Sequence, residues 1–379
     1  MAGDGRDRKT RGRRIREPRE AKESAADRRA DGRGRRDAEA DRGPAEPATA
    51  PQGARPEAAS GVDADAEDLG RWAEAFAEES FVETDAVAAV RERAERWLAA
   101  GRPVHLVGPT GCGKTALATE LARRRDRPAV FLNGDADLST ADLVGEYAET
   151  ERESVRDRYV HNVLKSRDVV RDRWVDNPLT VAVREGATLV YNEFSRTDPA
   201  ANNVLLSVLE EGVLELPGAR GDSRYVEVHP EFRAVLTSNT AEYAGVHRPQ
   251  DALLDRLVGI HMTFYDRETE REIVARQVPA LDERAVERVV DAFRALRDDE
   301  AVDQTVGTRA MVMTAEALTV ASEVDDALFT ELCLDAVGSK AADRAALADL
   351  REAVERAVAA AGDAERASDR GAENGSDTT

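Results

Sequence analysis

A phosphate-binding loop constrains the fold of this chain more than any other stretch of its sequence. A short apolar run, residues 104–107, leads into eight residues that match the pattern G-x-x-x-x-G-K-[ST]. In such a loop the glycines turn backbone N–H groups towards phosphate oxygens, and the next helix directs its positive dipole end at them. The loop consists of Gly108, Pro109, Thr110, Gly111, Cys112, Gly113, Lys114 and Thr115.

These residue types predict a site for a nucleoside triphosphate. Lys114 stands where a lysine reaches the β- and γ-phosphates, and Thr115 stands where a hydroxyl ligates Mg²⁺. The alternative is a glycine-rich turn before an ordinary helix. Strand and helix patterns flank the loop as the motif requires, so we predict that the chain binds ATP and Mg²⁺.

A second apolar run, residues 187–191, ends at Asn192 and Glu193. In P-loop NTPases this place usually holds Asp-Glu, where the aspartate binds the Mg²⁺ shell and the glutamate orients the attacking water. Asn192 can accept a hydrogen bond from a Mg²⁺-bound water but adds no charge, so we expect weaker Mg²⁺ binding or slow hydrolysis. Glu193 remains the candidate catalytic base, although a glutamate that only caps the next helix is the alternative.

Strand and helix patterns alternate over residues 67–266 and predict an α/β domain, a parallel five-stranded sheet with flanking helices. A β-hairpin is predicted near residues 213–228, and Asp198 and Pro199 are predicted to cap and begin a helix. Residues 146–180 are polar with isolated apolar anchors, and we predict helices inserted beside the sheet there.

The pattern from residue 267 to 361 is helical only and predicts a small all-helical lid domain. Residues 1–66 are charged and almost free of large apolar side chains, so we expect a disordered tail. Residues 362–379 are again polar, and a second disordered tail is expected at that end.

The charge of the chain is strongly negative outside its first residues. Residues 1–60 hold 16 basic and 12 acidic residues, whereas the remainder holds 38 basic and 63 acidic ones. An acidic body disfavours nucleic-acid binding, because phosphate contacts need a positive face. The chain has only five lysines, and an acidic, lysine-poor surface is typical of a halophile. An ordinary acidic protein from a GC-rich genome is the alternative.

Membrane spans and disulfide frameworks find no support in the sequence. Apolar runs stay well short of the ~18 residues that a spanning helix needs. Two cysteines, Cys112 and Cys333, give no disulfide or zinc pattern, and the five histidines are scattered. We therefore expect a cytoplasmic protein.

Two long runs resemble a known family. Residues 188–212 and the lead-in from residue 81 to 106 resemble the CbbQ/NirQ/NorQ/GvpN family of MoxR-type AAA+ ATPases, and its gas vesicle branch in particular. The phosphate loop, the strand ending in Glu193, the polar end of the fourth strand and the helical lid are typical of AAA+ proteins. The resemblance covers roughly residues 78–325.

The resemblance implies roles for three further residues. Asn239 stands where the family places sensor 1, which contacts the γ-phosphate or the water. Arg256, in the run Leu-Leu-Asp-Arg-Leu, matches the arginine finger that enters a neighbour's site. Arg309 matches sensor 2 on the lid. Either arginine could instead form a structural ion pair.

The resemblance also implies a function: ATP hydrolysis that assists assembly or enlargement of gas vesicles. It implies a homo-oligomer, other gas vesicle proteins as partners and a location at the vesicle. Two alternatives stay open: a NorQ-like chaperone that inserts a metal cofactor, and a nucleotide-dependent vesicle scaffold without hydrolysis. A transcriptional activator is a weaker alternative, because the acidic body lacks a basic reading face.

Overall fold

The computed structural model describes residues 81–156, 166–217, 219, 224–239 and 249–375. Parts of three predictions lie outside these residues: the charged tail over residues 1–66, the first residues of the predicted α/β domain (67–80), and the middle of the polar stretch (157–165). Residues 376–379, the end of the second predicted tail, are also outside them.

The α/β part begins with α1 (Asp85–Ala99), where the Thr84 hydroxyl caps the helix by accepting from the Val87 N–H at 3.3 Å. Strand β1 (Val104–Gly108) then leads through the phosphate loop into α2 (Lys114–Arg123). The following elements are β2 (Ala129–Asn133), α3 (Thr140–Val144), β3 (Gly145–Arg156), β4 (Ser166–Asp176), α4 (Pro178–Glu185), β5 (Thr188–Asn192), α5 (Val204–Glu210), β6 (Val213–Glu215), β7 (Tyr225–Glu227), β8 (Arg233–Asn239), α6 (Asp251–Leu254) and β9 (Val258–His261).

Five strands form one parallel sheet in the order β2-β5-β8-β1-β9, which confirms the predicted architecture. The strands are rich in Val and Leu because helices cover both faces of a parallel sheet. The register aligns the carboxyl ends of the central strands. Asn133 is opposite Asn192, and Gly108 is opposite Asn239, so the predicted site residues share one edge.

The prediction of helices over residues 146–180 is wrong for most of that stretch. Among the described residues of this stretch, strands β3 and β4 pair as an antiparallel ribbon, and helix is found only where α4 begins. Tyr147 and Trp174 are directly opposite each other, and their rings meet edge to face at 5.3 Å. Such a cross-strand aromatic pair stabilises a ribbon whose other residues are mostly charged.

The helix predicted from Asp198 begins later than expected. A single 3₁₀ turn covers Ala201–Asn203, and α5 starts at Val204. The Asp198 carboxylate accepts from the Ala200 N–H at 2.7 Å, so it stabilises the residues just before this turn rather than capping the α-helix. The hairpin is confirmed as the β6–β7 pair.

The lid consists of helices alone, as predicted. They are α7 (Arg267–Gln277), α8 (Glu283–Arg297), α9 (Thr308–Thr319), α10 (Asp326–Gly338) and α11 (Arg344–Gly375). Their apolar faces form a core of their own around Phe293, Met311 and Phe329. We propose residues 67–266 and 267–361 as the extents of the α/β and lid domains.

Helix α11 runs to Gly375, beyond the residue where the sequence pattern suggested a tail. The sequence of the added turns contains no large apolar residue, which is why a hydrophobic pattern does not detect them. Alanine, glutamate and arginine are strong helix formers, and the Arg366–Asp363 ion pair at 2.8 Å adds support within the helix. Across the described part of the chain, every helix is too short or too polar to cross a membrane.

Candidate functional site

The phosphate loop depends on its glycines for both shape and space. Gly111 and Gly113 have φ values of +83° and +91°, a left-handed conformation that side chains rarely adopt. Gly108 has ordinary backbone angles, but a Cβ there would lie 2.4 Å from the Met262 carbonyl oxygen. Burial raises the pKa of the Cys112 thiol, so this residue is a small neutral side chain within the loop.

Lys114 points back into the loop that precedes it. Its ammonium donates to the carbonyl oxygens of Gly108 at 3.0 Å and Pro109 at 2.7 Å, and the residue is only 6% exposed. Burial lowers its pKa from the usual lysine range; Glu193 partly opposes that shift, and Arg309 adds to it. Both acceptors are neutral carbonyl oxygens, so no anionic group among them balances the charge of the Lys114 ammonium, which can therefore pair with a phosphate.

Four polar side chains meet beside the loop, where β2, β5 and β8 end. The Asn192 Oδ1 accepts from the Thr115 hydroxyl at 2.7 Å and from the Thr237 hydroxyl at 2.8 Å. The Asn192 Nδ2 donates to the Asn133 Oδ1 at 2.9 Å. Hydroxyl and amide oxygens are ligands that suit Mg²⁺, so Thr115 and Asn192 fit the predicted metal site without supplying charge.

Glu193 is held in a sparsely populated backbone conformation. Its φ of +51° is the only positive value among the described residues other than glycine. The Glu193 N–H donates to the Thr237 hydroxyl at 2.9 Å, and Gly134 packs so tightly that a Cβ there would lie 2.3 Å from the Glu193 carbonyl oxygen. Its carboxylate accepts from Arg196 Nη1 at 2.9 Å. Backbone strain of this kind is typical of functional sites.

Two other predicted residues lie near this edge. Asn239 ends β8 directly opposite Gly108, the first residue of the loop. Arg309 lies in the first turn of α9, and its charge acts on Lys114. The preceding residue pair, Gly307 and Thr308, touches the loop: a Cβ on Gly307 would lie 2.8 Å from the Gly111 Cα.

Arg256 lies apart from this cluster. It follows α6, and its guanidinium donates to the Glu210 carboxylate at the end of α5 and to the Ala252 carbonyl oxygen. The Arg256–Glu210 ion pair is formed within this chain. The structure therefore brings Lys114, Thr115, Asn192 and Glu193 together, whereas Arg256 pairs with Glu210.

Sequence reasoning missed several contributors to the site. Asn133 and Thr237 hold the Asn192 amide, Arg196 holds Glu193, and Gly307 packs on the loop. Asn133 had a usable signal, because it is a polar residue directly after an apolar run, residues 129–132, as Asn192 is after residues 187–191. Gly307 had none, since a glycine before a helix is common at an N-cap.

Comparisons with known proteins agree with this geometry. Residues 103–257 match the family described as AAA domain (dynein-related subfamily). The gas vesicle ATPase GvpN of Haloferax mediterranei is 62% identical over 281 residues, which cover 74% of this chain and 80% of that protein. The gas vesicle ATPase GvpN of Ancylobacter aquaticus is 42% identical over 69% of this chain and 73% of its own. Protein NorQ of Paracoccus denitrificans is 30% identical, over 60% of this chain and 77% of its own.

Proposed function

This chain belongs to the GvpN family of AAA-domain gas vesicle ATPases, and from that premise we propose that it hydrolyses ATP to assist gas vesicle assembly or enlargement. The reaction is ATP + H₂O to ADP + phosphate. Catalysis of this kind depends on positioning and charge stabilisation, with no covalent step for the protein to supply.

The phosphate loop holds the nucleotide in this proposal. Its backbone N–H groups and the α2 N-terminus receive the phosphate oxygens, and the Lys114 ammonium exchanges its two carbonyl acceptors for phosphate. That exchange is favourable because a buried cation gains a charged partner in place of neutral ones.

The metal site in this proposal consists of Thr115 and Asn192. Mg²⁺, when bound, neutralises charge on the β- and γ-phosphates. The two oxygen ligands are already oriented by hydrogen bonds to each other and to Thr237. Because Asn192 is neutral, we infer that this chain binds Mg²⁺ more weakly than a protein with aspartate at that place.

Glu193 orients the attacking water and accepts its proton in this proposal. The Glu193 side chain is 34% exposed at the sheet edge beside Asn192, and its ion pair with Arg196 competes with the water for the carboxylate. Turnover therefore requires the Arg196 contact to loosen. Asn239 and Arg309 act on the γ-phosphate from the β8 end and from the lid.

We propose that the active form is a homo-oligomer located at the vesicle, with other gas vesicle proteins as partners. An arginine on the surface, Arg256, is then available to enter a neighbouring subunit's nucleotide site once its pair with Glu210 opens. The convergence of Lys114, Thr115, Asn192 and Glu193 at one sheet edge is the observation that carries the ATPase part of the proposal.

Complementation tests the vesicle part. A strain that lacks this protein is supplied with the unaltered chain, with Lys114→Ala, or with Lys340→Ala as the control. Lys340 is also a lysine that donates to a backbone carbonyl, that of Thr305 at 2.6 Å, but it is exposed and lies in the lid. Pressure-sensitive, light-scattering vesicles should return with the unaltered and control chains only. Full recovery with Lys114→Ala would contradict the proposal.

A second candidate, a nucleotide-dependent scaffold without hydrolysis, is favoured by two observations. Asn192 contributes no charge to the metal site, and Arg196 occupies the Glu193 carboxylate. Phosphate release by the purified protein at high KCl separates the two candidates. Nucleotide binding without release would favour the scaffold.

A further inference from the structure

A buried carboxylate in the lid bonds to two other helices. Glu270, in α7, has no exposed surface. One of its oxygens accepts from Arg294 Nη1 at 2.7 Å and from Arg297 Nη1 at 3.3 Å. The other accepts from Arg297 Nη2 at 2.9 Å and from the Thr308 hydroxyl at 3.1 Å. We call these four residues the Glu270 cluster.

The Glu270 cluster also contacts the segment that connects the sheet to the lid. Arg294 Nη1 donates to the Tyr265 carbonyl oxygen at 3.1 Å. The Arg297 guanidinium stacks on the Phe264 ring, 3.9 Å from its centroid. Both aromatic residues follow β9 and precede α7, so the cluster fixes the point at which the chain leaves the sheet.

The same cluster holds both flanks of the residue that touches the phosphate loop. Arg297 Nε donates to the Val306 carbonyl oxygen at 2.9 Å, and Thr308 donates to Glu270. Between them, Gly307 packs against the loop so closely that its Cβ would lie 2.8 Å from the Gly111 Cα. A shift of the cluster must therefore move Gly307 and the first turn of α9.

We propose that Glu270 is a positioning residue for the nucleotide site, which holds the first turn of α9 so that Arg309 faces the phosphates. The proposal rests on the proposed function, since it assumes ATP at the phosphate loop. Thr308 is the link, because its hydroxyl joins Glu270 and its peptide precedes Arg309. The hydrogen-bond partners of Glu270 in the described part of the chain, Arg294, Arg297 and Thr308, are not among the predicted nucleotide-binding residues.

The charge and burial of Glu270 favour a positioning role over a role in the stability of the lid alone. The lid already has an extensive apolar core, and buried ion pairs add little net stability compared with apolar side chains. Charge-assisted hydrogen bonds do, however, fix geometry closely, because their lengths and angles are restricted. Glu270 accepts four such hydrogen bonds, from Arg294, Arg297 and Thr308.

The experiment measures the dissociation constants of ATP and ADP for purified variants at high KCl. Thr308→Val replaces the hydroxyl with a methyl group, Thr308→Ser keeps a hydroxyl, and Glu270→Gln removes the charge. Asp291→Asn is the matched control: it breaks the Arg267–Asp291 pair, 2.5 Å long, which joins α7 to α8 without touching Val306, Gly307 or Thr308.

We expect Thr308→Val to weaken ATP binding roughly fivefold or more, as the loss of one charge-assisted hydrogen bond would, and ADP binding by less. Thr308→Ser and Asp291→Asn should bind ATP as the unaltered protein does. In an Arg309→Ala background, Thr308→Val should have no further effect, because both changes remove the same contact. If the Glu270→Gln protein does not fold, the comparison of Thr308→Val with Thr308→Ser tests the positioning role by itself.

Unchanged ATP affinity in Thr308→Val would overturn the positioning role. So would an equal loss in Asp291→Asn, or a loss that adds fully to that of Arg309→Ala. Failure of the proposed function looks different: the unaltered protein would then bind no ATP at all, and the positioning role would be overturned with it.

Discussion

Gly111 of the phosphate loop and Gly307 at the start of α9 touch backbone to backbone, with 2.8 Å between the Gly111 Cα and the place a Gly307 Cβ would occupy. This contact joins the nucleotide-binding loop directly to the lid. The backbone of Gly307 itself is extended, with φ of −98°, so space rather than conformation excludes a side chain.

Gly307→Ala tests the contact. The added methyl group must displace the loop, so we expect a loss of about 1–3 kcal/mol in the free energy of unfolding and weaker ATP binding. Gly338→Ala is the control, because a Cβ there meets only the Leu347 side chain at 3.5 Å. Thermal unfolding and ATP titration measure both effects. A Gly307→Ala protein with unchanged ATP affinity would show that the loop tolerates movement of the lid.

Asn192→Asp tests the charge of the metal site. The hydroxyls of Thr115 and Thr237 can still donate to a carboxylate at position 192. The side-chain amide of Asn133 must rotate by about 180° so that its NH₂ group donates to the second oxygen of that carboxylate. We expect tighter Mg²⁺ binding and faster ATP hydrolysis at low Mg²⁺. Hydrolysis is measured across a Mg²⁺ titration.

The matched control is Asn133→Asp, which places a carboxylate beside Asn192 rather than at the metal ligand itself. Its effect on the Mg²⁺ dependence should be smaller. If Asn192→Asp hydrolyses ATP no faster at any Mg²⁺ concentration, neutrality at this position does not limit the enzyme.

The sequence allowed the α/β sheet, the lid and the loop to be predicted, because strand runs and the glycine pattern are local signals. The β3–β4 ribbon was mispredicted because charged residues occupy both faces of its pattern and hide the alternation of a strand. Glu270 could not be identified either. A glutamate in a helix with many charged neighbours is indistinguishable from a surface residue until Arg294 and Arg297 are seen to cover it.

Arg256→Ala tests the proposed finger. A finger acts on a neighbour's phosphate, so the variant should bind ATP nearly normally yet hydrolyse it poorly. Mixing Arg256→Ala with Lys114→Ala at fixed total protein should restore some activity, because mixed neighbours combine an intact site with an intact arginine. Arg224→Ala, which removes another surface arginine paired with a glutamate, is the control.

Glu210→Gln distinguishes the structural alternative for Arg256. If the arginine acts only through its pair with Glu210, removing that carboxylate should reproduce the defect of Arg256→Ala. Loss of activity in Glu210→Gln, together with no recovery on mixing despite demonstrated exchange of subunits, would assign Arg256 a role within its own chain.

The buried side chain of His105 makes the free energy of unfolding depend on pH. It lies buried on β1, with Nε2 2.7 Å from the Ser238 hydroxyl, and burial, with a smaller contribution from His261, lowers its pKa to about 4. The unfolded chain therefore binds a proton more readily than the folded one. The free energy of unfolding should therefore be highest above the ordinary histidine pKa. It should fall by roughly 3 kcal/mol as the pH drops from that value to about 4.

Chemical unfolding at a series of pH values measures how the free energy of unfolding changes with pH. His105→Gln should flatten this dependence in that range, whereas His261→Gln, at the exposed neighbour, should change it only slightly. An unchanged slope in His105→Gln would show that other groups control acid unfolding.

Phosphate release by the purified protein at high KCl and saturating Mg²⁺ tests the central claim most directly. The proposed mechanism predicts slow release by the unaltered chain, none by Lys114→Ala because ATP no longer binds, and none by Glu193→Gln although ATP still binds. Glu211→Gln, at an exposed glutamate just beyond α5, should behave as the unaltered chain. Equal phosphate release by the unaltered and Glu193→Gln proteins would contradict the mechanism.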